Sequence, residues 1–283
     1  MGETNAICFN AGNPRNAMAP QDRAVSPITN YQLPITKHMI ATVQSSLREH
    51  QHILIRELAN FIEAYWQDYL SLSPYEIPKD LGYVEGSLEG EKLIIENHCY
   101  QTPQFRKLHL ELAQVGTSLD ILHCVMFPHA DYPLPIFGVD IVANKGGVGA
   151  AIVDLSPMNC DRILSDNYRD VLKNLPAVSF SQPRTLPEWG DIFSEFCLFI
   201  RPVDEREQEL FLTQVKHFLR LHCQIAISTS LVSSGVEATE IIAAQHYYCS
   251  QQQKNDKTRK VLEKSLGKAW TERYMKTMLF DAL

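Results

Sequence analysis

From Ser45 to Leu72 the apolar residues Ile53, Leu54, Leu58, Phe61, Ile62, Tyr65, Trp66 and Tyr69 recur at intervals of three and four. That spacing predicts one long amphipathic helix with a single apolar stripe. The stretch SPYEIPKDLGY breaks it. Short segments with alternating polarity follow, namely EKLIIEN, QFRKLHLEL, LDILHCVMF, PIFGVDIVA and GAAIVDLS, with Lys145-Gly146-Gly147 as a hairpin turn. These predict an antiparallel meander, with a further strand at Phe193–Ile200. After Pro202 and Asp204, a reasonable helix start, the period returns to that of a helix through Phe211, Val215, Phe218 and Leu219, and again through Val261, Leu262 and Leu266. Strands in the middle with helices before and after predict an α/β fold, a three-layer α-β-α sandwich whose central, mostly antiparallel sheet is covered on both faces.

Alternation also exposes where the strand pattern is broken by chemistry. In FRKLHLEL, Leu108, Leu110 and Leu112 take one face, while Lys107, His109 and Glu111 take the other. His123 shares a face with Ile121 and Val125, and Asp140 shares one with Ile136, Gly138 and Val142. Each has an ordinary structural reading. His109 and Glu111 could be a solvated strand face, and His123 a hydrogen-bonded core histidine. Asp140, between Val139 and Ile141, is harder to dismiss, since an unpaired carboxylate in a packed sheet is costly. Four such groups on neighbouring strands together predict an acid/base cluster beneath a pocket.

Composition narrows the classes. The 283 residues are 45% hydrophobic and 21% charged, enough to bury one large core, and the formal net charge of -7 argues against nucleic acid as a partner. Seven cysteines without CxxC spacing signal neither a zinc site nor a disulfide framework and suit a reducing compartment. No apolar run is long enough to span a bilayer, so a cytoplasmic protein that does not enter membranes is expected. Residues 1–39, rich in Asn, Pro and Ala, read as a flexible N-terminal extension, leaving 40–283 as a single domain. Fingerprints for dinucleotide, nucleotide-phosphate, metalloprotease and serine-hydrolase sites (GxGxxG, GxxxxGK[ST], HExxH, GxSxG) are missing.

The run DLGYVEGSLEGEKLIIENHCYQTPQFRKLHLELAQVGTSLDILHCVMFP, with IFSEFCLFIRP and QQQKNDKTRKVLEKSLGKAWTERYM, resembles the ferredoxin-dependent bilin reductases over essentially the whole chain from Pro74. The resemblance implies a sheet between helices and reduction of biliverdin IXα to phycocyanobilin. Electrons would come from a [2Fe-2S] ferredoxin, no flavin or metal would be bound, and the pigment itself would carry single electrons as bilin radicals. The family's members also imply a monomer.

Residue by residue, Asp140 is similar to the family's essential aspartate over the bilin. His123 is similar to the histidine bonded to a terminal ring lactam, Glu111 to the carboxylate that protonates the D-ring vinyl group, and His109 to the histidine supporting that network. Lys257 and Arg184 resemble the cations that pair with the propionates, Asn255 and Asp256 resemble polar residues facing the pocket, and Val261 and Ile121 would line it. Two alternatives remain: a sister reductase with a different bilin product, and a non-catalytic bilin carrier.

Overall fold

The computed structural model describes residues 46–282; the predicted extension 1–39 lies outside them. Helices α1 (Ser46–His50) and α2 (Ile53–Tyr69) come first. The single helix expected over 45–72 is divided because residues 51 and 52 are tied to the sheet. Gln51 Nε2 donates to the carbonyls of Ala113 and Ile121, and the His52 N–H donates to Asp120 at 2.8 Å. His52 then caps α2 by accepting from the Leu54 N–H.

Strands β1 (Ser73–Pro74), β2 (Tyr83–Leu88), β3 (Glu91–Gln101), β4 (Phe105–Val115), β5 (Leu119–Pro128), β6 (Ile136–Asn144), β7 (Gly147–Ser156) and β8 (Leu198–Ile200) form one eight-stranded sheet. Each pairing is antiparallel, and β3 to β8 are ordered as in the sequence. The outer edge of β3 is shared by β2 and β1. Only Leu198–Ile200 of the strand expected from Phe193 is extended. The preceding residues turn instead, with Ser194 held by its N–H and Oγ on Asp154 and the Cys197 N–H on the Ser194 carbonyl.

Helices α3 (Lys79–Gly82), α4 (Asp166–Lys173), α5 (Glu205–Ser228), α6 (Gly235–Gln252), α7 (Asp256–Leu266) and α8 (Lys268–Tyr274) complete the two outer layers. Leu108, Leu110, Leu122, Cys124, Val139 and Ile141 point to the face covered by α1, α2, α4 and α5, where Trp66 and Phe211 are also wholly buried. The opposite face packs Ile95, Val125, Phe127 and Ile136 against Ile241, Tyr248, Leu262 and Tyr274 of α6, α7 and α8. Asp204 and Ser234 cap α5 and α6 by accepting from the N–H groups of Glu207 and Glu237. Among the described residues, no helix is long and apolar enough to cross a membrane.

Candidate active site

The hairpin registers bring the ionisable residues of separate strands into one line. Asn97 stands opposite Glu111, Glu111 opposite His123, His123 opposite Asp140, Asp140 opposite Ile152, and Ile152 opposite Phe199. Directly opposed side chains on one face are near neighbours, so this row crosses the sheet on the side of α6 to α8. His109 lies two residues from Glu111 on the same face, opposite Val125.

The two faces differ in how completely they are covered. Along β5 to β8, the side facing α4 and α5 buries Leu122, Cys124, Phe137, Val139, Ile141, Ala151, Val153 and Ile200. On the other side Ile121, Gly138, Asp140, Val142, Ala150, Ile152 and Phe199 are each only half-buried although they lie within the sheet. They form an apolar floor with one carboxylate in it. Burial of Asp140, expected from its neighbours, is therefore not what the fold gives: its side chain is 43% exposed, against 9% for His123. Two residues along the same face stands Gly138, which adds no side chain to the floor, and α6 leaves the space beside it uncovered. The Tyr248 hydroxyl of α6 lies 3.5 Å from where a Cβ of residue 138 would be, and Gln252 Nε2 donates to it at 3.1 Å.

Burial and pairing set the proton affinities along the row. His123 Nδ1 is 2.6 Å from Asp140 Oδ1. Burial alone pushes His123 down, but the charge and hydrogen bond of Asp140, with the charge of Glu111, outweigh it and the net shift is upward. Glu111 is 7% exposed; burial, reinforced by the charge of Asp140 and opposed by that of His123, raises it from 4.5 to about 7. It can therefore hold a proton near neutral pH and release it. His109 is wholly buried and held well below its ordinary value, first by burial and then by the charges of Lys107 and His123. Its Nε2 is 2.7 Å from Asn97 Oδ1. Asn97 spends its amide N–H on the Leu81 carbonyl, and its Oδ1 also accepts from the Tyr274 hydroxyl at 2.8 Å.

The remaining predicted residues are placed less centrally. Arg184 is exposed, but its backbone N–H donates to the Phe199 carbonyl and its guanidinium lies 5.7 Å from the Phe199 ring, at the end of the row. Asn255 caps α7 through the Lys257 N–H, and Asp256 pairs with Lys260 one turn on. Lys257 is exposed and Val261 half-buried, one turn apart on α7. Among the described residues, no hydrogen bond joins these α7 residues to the row; they enter just after Gln252, which bonds Tyr248 over the floor. Two clefts of about 180 and 230 Å³, between residues 157–165 and α6, include none of the row, and the second ends at Tyr248.

Sequence reasoning missed Asn97, Tyr274 and Phe280. Asn97 was within reach, since it is a polar residue between Ile95 and Cys99 on an apolar strand face. Tyr274 and Phe280 come from the far end of the chain, and Phe280 packs edge-on to His123 with ring centroids 5.8 Å apart. Among the described residues, no group of three or more His, Cys, Asp or Glu side chains is arranged to hold a metal ion.

Comparison with known proteins agrees with this architecture. The family model for ferredoxin-dependent bilin reductases matches residues 59–281. A phycocyanobilin:ferredoxin oxidoreductase of Trichodesmium erythraeum is 57% identical over 86% of this chain and 99% of its own length, and one from Synechococcus elongatus is 53% identical over 86% and 98%. The fold is also that of tomato phytochromobilin synthase, solved in complex with biliverdin, at a TM-score of 0.68, 17% identity, and coverage of 80% of this chain and 83% of that one. With a model match over most of its length and relatives above half identity, the chain belongs to the ferredoxin-dependent bilin reductase family.

Proposed function

We propose that this chain reduces biliverdin IXα to phycocyanobilin with electrons from reduced [2Fe-2S] ferredoxin. Four electrons arrive one at a time and four protons join them, so the pigment passes through bilin radicals. The observation that carries this reading is the row Glu111–His123–Asp140, a proton-holding line that opens on a half-exposed apolar floor. A flat tetrapyrrole lying on Ile121, Gly138, Val142 and Ile152 would set its central nitrogens over Asp140.

In this reading Asp140 delivers and takes protons at the exposed end, and His123 bonds a terminal lactam while sharing the Asp140 proton. Glu111, raised to about 7 by burial, protonates the D-ring vinyl group, and His109 supports them through its bond to Asn97. Arg184 and Lys257 pair with the propionates, an arrangement in which an Arg fork binds a carboxylate through two donors. Asn255 and Asp256 face the pigment from the start of α7, and Val261 lines the pocket. The chain needs neither flavin nor metal, because the substrate stores the single electrons. It acts in the cytoplasm as a monomer. An acidic ferredoxin would dock beside Lys254, Arg259 and Lys260, where Arg259 and Lys260 also pair with Glu272 and Asp256 and Lys257 is engaged by a propionate.

The test is anaerobic incubation of the purified, metal-analysed protein with biliverdin and a ferredoxin-reducing system. Loss of biliverdin absorbance with formation of phycocyanobilin supports the proposal. A bilin with its D-ring vinyl group intact identifies a sister reductase, and pigment that binds without being reduced identifies a carrier.

A further inference from the structure

Arg106 and Lys107 are consecutive in β4, where a regular strand would send them to opposite faces. A register shift between Phe105 and Lys107 breaks the alternation, and such bulges re-aim side chains. Both cations end over the Phe127 ring, 4.5 and 5.2 Å from its centroid. They also converge on one residue near the end of the chain. Arg106 donates to Asp281 Oδ2 at 2.9 Å and to the Asp281 carbonyl at 2.8 Å, and Lys107 Nζ donates to Oδ1 at 2.5 Å.

Lys107 is wholly buried, and its other acceptors are the carbonyls of Met278 and Thr277. Asp281 is thus the counter-charge of a cation that could not otherwise be held there. From the other side, Cys249 donates to the Asp281 carbonyl and Gln253 Nε2 to that of Phe280. The clasp leaves Phe280 5% exposed, its ring edge-on to His123 at an interplanar angle of 82°.

We infer that Asp281 is a positioning residue for the reduction: by gathering Arg106 and Lys107 it seats Phe280 against His123 and so fixes the tilt of that imidazole in the row with Glu111 and Asp140. The link to turnover rests on the function proposed above, whereas the link to His123 does not. His123 serves there as a hydrogen-bond partner of both the pigment and Asp140, so a rotated ring would misplace the donor. Misplacement of a reacting group by about 1 Å costs on the order of a hundredfold in rate.

The test uses the full chain and the variants Asp281→Asn, Asp281→Glu and Phe280→Leu. Without pigment, the imidazole C–H resonance of His123 is followed by NMR, assigned by its loss in His123→Gln. Asp281→Asn, which lets the Phe280 ring move away, and Phe280→Leu, which removes it, should move the resonance in the same direction as the ring current at that proton weakens, and Asp281→Glu should restore part of the shift. With biliverdin and reduced ferredoxin, Asp281→Asn should lose about tenfold or more in kcat with a smaller change in KM for biliverdin. An unmoved His123 resonance in folded Asp281→Asn overturns the inference. Should that variant fail to fold, an unmoved resonance in Phe280→Leu does the same. Wild-type protein that does not reduce biliverdin removes the reductase reading but leaves the His123 result standing.

Discussion

Replacing Glu111 by Gln should stabilise the protein at alkaline pH while removing part of its chemistry. The carboxyl sits in the row with His123 and Asp140, almost fully buried, and burial raises it from 4.5 to about 7. The folded chain therefore holds this proton more tightly than the unfolded chain. The stability linked to it is complete below pH 4.5 and is lost as pH rises through 7. Each tenfold difference in proton affinity between the folded and unfolded chain is worth about 1.4 kcal/mol, so ionising Glu111 costs the native state about 3 kcal/mol by pH 8 and under about 1 kcal/mol at pH 5. Gln cannot ionise and avoids that cost, whatever constant offset its altered hydrogen bonds add. The gain of Glu111→Gln over wild type should therefore be about 2.5 kcal/mol larger at pH 8 than at pH 5. Urea unfolding of both proteins at the two pH values measures this difference. An equal effect at pH 5 and pH 8 would refute the claim that Glu111 is held protonated by burial.

Three further outcomes follow from the same geometry. Asp140→Asn removes the larger of the two influences that raise His123, leaving only the charge of Glu111 against the burial that lowers it, so the His123 imidazole should titrate lower than in wild type by NMR; the variant should bind biliverdin yet stall after electron entry, and normal turnover would contradict the role. Arg184→Ala and Lys257→Ala, both at exposed positions, should change stability by no more than about 0.5 kcal/mol. Each should weaken biliverdin binding about tenfold, whereas the dimethyl ester of biliverdin should bind wild type and variants equally; equal loss with the ester would argue against propionate pairing. Lys254→Glu with Lys260→Glu should raise KM for ferredoxin several-fold at low ionic strength and flatten its salt dependence, and an unchanged salt profile would place the docking surface elsewhere.

The meander was legible because each strand carries its own alternation, so that Leu108, Leu110 and Leu112 on one face predict Lys107, His109 and Glu111 on the other. Helix α6 was not, because its buried positions include Gln245, Tyr248, Gln251 and Gln252, and a stripe built on glutamine and tyrosine has little hydrophobic contrast. Strand β2 buries only Val84, too little to show a period. The division between α1 and α2 depends on Gln51 and His52 reaching Ala113, Ile121 and Asp120, long-range bonds with no local signal.

For the site, alternation shows which face a residue takes but not which residues align across strands. That Glu111, His123 and Asp140 form one row depends on the lengths of the connections between β4, β5 and β6. The openness of Asp140 was likewise hidden, since it follows from what α6 leaves uncovered beside Gly138 rather than from Val139 and Ile141.

Proton delivery by the row is tested most sharply by anaerobic turnover of wild type and Glu111→Gln side by side with biliverdin and reduced ferredoxin, the products separated by chromatography. The wild type should yield phycocyanobilin, and the variant a bilin whose D-ring vinyl group is still present. Phycocyanobilin from both, at equal rates, would contradict the assignment of proton delivery to the row.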